Sequence, residues 1–276
     1  MKEFHIISSG VSLIQNAQRR GVLPEDIKIR DESYWKEILN NSKEVNKLYS
    51  FLKENPKENS AELNTFLRVV ENKEPSNISV YLFGTNTASN QLCRKVIEKF
   101  LEEENYKIYP PSEVSGYFYE AEIFDENYAK DEFQKDISLL LDRLISIAKR
   151  KKEEGYKVYF NPTGGFKAYV MVTALAGFLL NCEIYYMHEE FNRTIFLPPL
   201  FYLPKGKEIE LLEQLKDRKP RSGGEYERIL QKFPQEIERL KLYQLVEVER
   251  DEETGKEYRI KITEKGVFIL EELKKI

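Results

Sequence analysis

The seven residues Asn161-Pro162-Thr163-Gly164-Gly165-Phe166-Lys167 constrain the fold more than any other part of the chain, because they separate a strand-like run from a long apolar segment. Tyr156 to Phe160 is rich in β-branched and aromatic residues, and Ala168 to Leu180 is almost wholly apolar. Gly164-Gly165 therefore marks a strand-to-helix turn. Such a turn gathers unpaired backbone N–H groups and the positive end of a helix dipole at one point, and Lys167 adds a full charge there. A phosphate group suits that combination. The spacing matches neither the phosphate loop of nucleotide hydrolases nor G-x-G-x-x-G, so plain punctuation between a strand and a helix remains the alternative on shape alone.

Two further strand ends carry small polar residues. Phe4-His5-Ile6-Ile7 runs into Ser8-Ser9-Gly10-Val11-Ser12-Leu13-Ile14-Gln15-Asn16, and Ile78 to Phe83 runs into Gly84-Thr85-Asn86-Thr87-Ala88-Ser89-Asn90. Strands alternate with helical patterns at Gln91 to Glu102, Asn127 to Lys151 and Ala168 to Leu180, which predicts a doubly wound, mainly parallel α/β sheet. In such a sheet the strand C-termini share one edge, and ligands bind in the crevice outside it. Ser8, Ser9, Gly10, Ser12 and Asn16 from the first loop, Thr85 and Asn86 from the second, and Asn161, Thr163, Gly164, Gly165, Phe166 and Lys167 from the third are the candidate site. None of these loops holds an acidic pair or a histidine, so they suit phosphate, ribose and base edges.

The Gly-x-Ser-Leu of the first loop, the Phe-Gly-Thr-Asn-Thr strand end and Asn-Pro-Thr-Gly-Gly-Phe-Lys-Ala together resemble the CRISPR-associated Rossmann-fold (CARF) proteins, and most closely the stand-alone branch that includes ring nucleases. The resemblance covers residues 1 to 204. It implies a homodimer that binds a cyclic oligoadenylate, the second messenger of type III CRISPR systems, across its interface. Val11 departs from the branch, which commonly has a small hydroxyl residue there, and about sixty polar, largely helical residues separate the first two strand motifs.

That helical insertion, about residues 31 to 75, offers no chemistry its residues name. Two or three helices are expected in it, with Trp35 and Tyr49 as core residues. Beyond a charged linker, residues 205 to 276 read as helix, helix, two strands around a turn at Asp251 to Lys256, and a last helix, which resembles a winged helix-turn-helix. This segment holds 17 basic and 17 acidic residues. Its expected recognition helix, Pro234 to Tyr243, has no basic cluster, so a dimerising or ligand-covering role is favoured over DNA binding.

The net charge of −4 gives the chain no global attraction to nucleic acid or acidic membrane. Two cysteines and two histidines are too few and too scattered for a zinc motif or a disulfide framework. No cofactor or metal is expected, the apolar run to Leu180 is too short to span a bilayer, and a cytoplasmic setting follows.

Under the resemblance, an RNA-destroying effector would carry an arginine four to six residues ahead of a histidine, and neither histidine has one. Cleavage of the bound ring needs neither metal nor histidine, because each ribose 2′-OH is an internal nucleophile once held in line. Lys167 and the N–H groups of Gly164 to Phe166 would neutralise the phosphorane, while Ser8, Ser9 or Ser12 would orient a phosphate or the 2′-OH. Ser9, Ser12 and Lys167 are thus the candidate catalytic residues. The expected function is a ring nuclease preferring cyclic tetraadenylate, forming linear products with 2′,3′-cyclic phosphate ends. A non-catalytic, ring-gated transcription regulator is the alternative, and a dinucleotide-binding protein the third. Adenine contacts are expected from Gly116 to Phe124.

Overall fold

The computed structural model describes residues 1–109, 126–188, 190 and 193–274, and the chain divides into two compact units, Met1–Leu197 and Pro198–Ile276. The expected adenine-contact segment, Gly116 to Phe124, lies outside the described residues.

The first unit is a Rossmann-like α/β domain. Its sheet comprises β1 (Glu3–Ser8), β2 (Ile78–Phe83), β3 (Lys107–Ile108), β4 (Lys157–Asn161), β5 (Glu183–His188) and β6 (Arg193–Phe196), in the order β3-β2-β1-β4-β5-β6. All neighbours pair in parallel except β5 with β6. β1 and β2 are buried along their full lengths, as expected of parallel strands covered on both faces. Side-chain alternation sorts them. Phe4, Ile6, Tyr81, Phe83, Val158 and Phe160 face one core with α7 (Glu126–Glu153) and α8 (Lys167–Leu179), whereas Ile7, Val80 and Leu82 face the other.

That second face is covered by α1 (Ser12–Arg19), α6 (Ala88–Glu103) and the insertion, which forms four helices: α2 (Glu32–Asn40), α3 (Ser42–Glu54), α4 (Pro56–Asn59) and α5 (Ala61–Val69). Trp35 is fully buried, with its indole N–H donating to the Lys28 carbonyl (3.0 Å), and Tyr49 is 8 % exposed. The apolar face of the insertion is therefore part of the domain core. Burying one such large side chain is worth about 1.5–3 kcal/mol. α5 packs against β4 and β5, bringing its N-terminus over the edge where β1 and β4 end.

The second unit contains α9 (Lys207–Gln214), β7 (Arg221–Ser222), α10 (Gly224–Lys232), α11 (Pro234–Leu242), β8 (Val246–Arg250), β9 (Glu257–Ile262) and α12 (Glu264–Leu273). Its three strands form an antiparallel sheet in the order β7-β9-β8, and the core gathers Leu211, Phe233, Ile237, Leu240, Ile260 and Leu270. Leu200 to Tyr202 form no strand and belong to this unit. No helix among the described residues is long and apolar enough to cross a membrane.

Candidate functional site

The strand order reverses between β1 and β4, because the chain runs outward to β3 and returns to the other side of β1. The loops that leave β1 and β4 therefore flank a topological switch point, where parallel α/β sheets bind ligands. The loop after β2 lies beside them. A cleft of about 460 Å³ opens here, lined by Gly10 and Ser12, by Thr85 and Thr87, and by Thr163 to Phe166. That volume falls in the range of about 300–1,000 Å³ typical of small-ligand sites.

The loops hold each other more closely than their sequences indicate. Ser8 is fully buried, and its hydroxyl donates to the carbonyl of Gly164 (2.6 Å), tying the end of β1 to the Gly-Gly turn. Ser9 donates its N–H to Phe83 O (2.7 Å) and its carbonyl accepts from the Asn90 amide (2.8 Å). Its own hydroxyl is buried and finds no hydrogen-bond partner among the described residues. The Asn161 side chain accepts from the Thr163 N–H (3.2 Å) and hydroxyl, an Asx-type turn that shapes the approach to Gly164. Gly165 has φ +100°, a conformation that side chains rarely adopt.

Two expected site residues stand apart from the cleft lining. Asn16 donates to the carbonyls of Glu58 and Asn59 (both 3.2 Å), so it fastens α1 to the end of α4. Asn86 is exposed and accepts from the Gln91 amide (2.7 Å). Thr85 does line the cleft, sharing a 3.0 Å hydroxyl contact with Thr87. Lys167 is exposed in the first turn of α8, beside the lining residue Phe166.

The insertion, which named no chemistry from its sequence, supplies the one carboxylate in the lining. Glu62, 1 % exposed at the start of α5, accepts the Gly10 N–H (2.7 Å) and the hydroxyls of Ser12 (3.0 Å) and Ser60 (2.8 Å). It also lies against Gly164, where an added β-carbon would stand 2.2 Å from Glu62 Oε1. Behind it, burial pushes up the pKa of the Cys93 thiol on α6, and the Glu62 charge adds to that rise. Arg30, exposed at the entrance to the insertion, lines the same cleft and adds a cation. Neither residue was legible as a site residue, since each contacts the loops only through the tertiary path of the insertion.

These carboxylates dictate where an anion can go. Glu32, from α2, accepts the Ala88 N–H with both oxygens (3.1 and 3.0 Å), and Thr87 caps Asn90, so the start of α6 is occupied. Glu62 occupies the approach to α1. The start of α8 differs: its N-cap is Phe166, with no side-chain cap, and no side chain among the described residues bonds the N–H of Lys167 or Ala168. Among the described residues, of the helices that follow β1, β2 and β4, α8 is the one whose start is left open to an external anion.

The domain is thus a Rossmann-like α/β protein with a ligand cleft at its switch point. A family model described as CRISPR-associated protein (Cas_APE2256) matches residues 57–200, slightly more than half the chain, and the chain belongs to that family. The match runs from α4 through β6, so it includes Glu62, the Thr85 loop and the Lys167 loop. The Ser8 to Asn16 loop and Arg30 fall before it.

Proposed function

We propose that two copies of this chain hold one cyclic oligoadenylate, cyclic tetraadenylate preferred, and cleave it to linear products ending in 2′,3′-cyclic phosphate, switching off type III CRISPR signalling. The observation that carries this reading is the open start of α8. No side chain among the described residues bonds the N–H groups of Lys167 and Ala168, Lys167 is itself exposed there, and the helix starts after β1 and β2 already hold carboxylates. A ring phosphate placed there would meet donors that strengthen as charge grows on the phosphorane, which lowers the barrier without metal. Family membership supports a CRISPR setting.

The surface of the same helix supports a dimer. Met171, Leu175 and Leu179 are 71 %, 45 % and 40 % exposed at four-residue spacing, so α8 presents an apolar stripe running away from Lys167. An isologous contact along that stripe would place two Lys167 turns on one twofold axis, which suits a ring of four equivalent nucleotides.

Incubation of the full chain with radiolabelled cyclic tetraadenylate in chelator tests the reading. Linear product with a 2′,3′-cyclic phosphate end is expected, and Lys167→Ala should slow it by about 10²-fold or more. Wild-type turnover in that variant would refute the role of Lys167. Binding without turnover would favour a ring-gated regulator instead, a second reading to which the helix pair α10–α11 and the β8–β9 hairpin lend a winged-helix shape.

A further inference from the structure

Ser12 and Glu62 form a pair whose hydrogen bonds are directional. The Ser12 hydroxyl donates to Glu62 Oε2 (3.0 Å), and its oxygen accepts the Ala61 N–H (3.1 Å). A hydroxyl has one proton and two lone pairs, so a single lone pair of Ser12 is left for the cleft that it lines. Ser12 can therefore accept from a ligand but has no proton to give it. A phosphate oxygen offers no donor, whereas a ribose hydroxyl does. Glu62 is itself anchored by the Gly10 N–H and the Ser60 hydroxyl, so its carboxylate cannot swing away to free the serine.

We propose that Glu62 acts through Ser12 as the proton acceptor of the reaction, with Ser12 receiving the ribose 2′-OH of the bound ring. The inference rests on the ring-cleavage reading above. In the step, O2′ forms its bond to phosphorus while its proton passes to Ser12 Oγ, and the proton of Ser12 passes to Glu62 Oε2. The P–O5′ bond breaks with its electron pair leaving on O5′, which takes a proton from water. Glu62 then returns its proton to solvent. This places a base behind a serine that has neither histidine nor aspartate beside it in the sequence.

The test uses the full chain in single turnover with cyclic tetraadenylate. The Glu62 charge bears on the buried Cys93 thiol of α6, which does not line the cleft, so Cys93→Ala serves as the control. Glu62→Gln should lower the rate by about 10²- to 10⁴-fold, with ring affinity preserved. Ser12→Ala should cost as much, and the double variant no more than either single one, as expected of groups working as a unit. Glu62→Asp keeps a base and should recover part of the rate lost in Glu62→Gln, which a merely structural role for the longer, neutral side chain would not predict.

Affinity supplies a readout independent of turnover. Replacing the ring with its all-2′-deoxy counterpart should weaken wild-type binding about two- to tenfold, the value of one hydrogen bond, and leave Ser12→Ala binding unchanged. A Glu62→Gln variant with wild-type rate overturns the proposal, as does one that loses affinity and melting temperature in step with rate. A wild type that binds the ring without cleaving it overturns the parent reading and the relay together. The deoxy comparison then still decides whether Ser12 receives a ribose hydroxyl.

Discussion

Gly10 and Gly165, the glycines of the first and third loops, meet backbone to backbone: a β-carbon added to Gly10 would stand 2.6 Å from the nitrogen of Gly165 and 3.1 Å from its α-carbon. Neither partner is a side chain that can swing aside. In sequence, both glycines stand among the candidate ligand contacts; in the structure they first make room for each other, bringing the ends of β1 and β4 together across the switch point.

Gly10→Ala should therefore strain the cleft itself. Forced overpacking costs about 1–3 kcal/mol, and the displaced backbone is the segment that leads to the open start of α8. The expected result is a lowered unfolding midpoint in urea together with weakened ring binding. An alanine variant with unaltered midpoint and affinity would show that the two loops do not touch in solution.

Acid sensitivity should come from the other end of β1. His5 is fully buried, shares a hydrogen bond with the Tyr185 hydroxyl (2.9 Å), bonds Glu3 (3.2 Å) and stacks on Tyr159 at 4.6 Å. Burial holds its imidazole below the usual 6.5 despite the opposing pull of Glu3. The Glu3 carboxyl is raised by burial but lowered more by the bonds from His5 and Lys73, reaching about 2 against the usual 4.5. The unfolded chain binds the proton more readily at both groups. The His5 contribution is complete above pH 6.5 and is lost as pH falls below it; the Glu3 contribution is lost below pH 4.5 towards about 2. Thermal melts should show wild-type stability falling between pH 7 and pH 5, and His5→Gln should flatten that interval. Equal slopes in the two proteins would exclude His5 as the source.

The exposed stripe on α8 gives a test of assembly. Leu175 is 45 % exposed midway along it, and a charge there would be buried by an isologous contact without disturbing the domain core. The native chain should sediment as a dimer binding one ring per two chains. Leu175→Lys should sediment as a folded monomer with weakened ring binding, and a dimeric variant would place the interface elsewhere.

The layered fold was legible because local pattern and tertiary role agree in its strands. Phe4 to Ile7, Ile78 to Phe83 and Tyr156 to Phe160 are runs rich in β-branched and aromatic residues that lead into small polar residues, and each holds a parallel strand, buried except at Lys157. The third-loop cluster was legible for the same reason, since the turn, the glycines and Lys167 are contiguous in sequence. Glu62 was not. It is fifty residues from Ser12 and lies in a helix of ordinary amphipathic composition, and only the packing of α5 against β4 and β5 brings its carboxylate to the first loop. Arg30 is hidden likewise at the mouth of the insertion. Ser8 illustrates the converse: its position marked it as a ligand contact, yet complete burial sends its hydroxyl to Gly164.

The second unit should bind duplex DNA poorly, because the cations of α11 and of the strands β8 and β9 are already engaged. On α11, Arg239 pairs with Glu208 (2.9 Å), and Lys241 with Glu238 (2.7 Å) and Glu257 (2.8 Å). On the hairpin, Arg250 pairs with Glu257 (3.0 Å), Arg259 with Glu249 (3.2 Å) and Lys261 with Glu247 (3.0 Å). Nonspecific affinity comes from counterions released as phosphates meet free lysines and arginines, and a helix whose basic residues are internally neutralised releases few. Exposed pairs of this kind are individually weak, about 0–1 kcal/mol, but each adjacent carboxylate also repels the phosphate that would displace it. Binding of the full chain to random duplex DNA at physiological salt should therefore be weaker than the usual nonspecific range of about 10⁻⁴ to 10⁻⁶ M, with a shallow dependence on salt. Fluorescence anisotropy from 50 to 200 mM salt, with and without cyclic tetraadenylate, measures both quantities. Tight binding that appears only with the ring, in a protein that leaves the ring intact, would assign α11 to DNA and the chain to regulation.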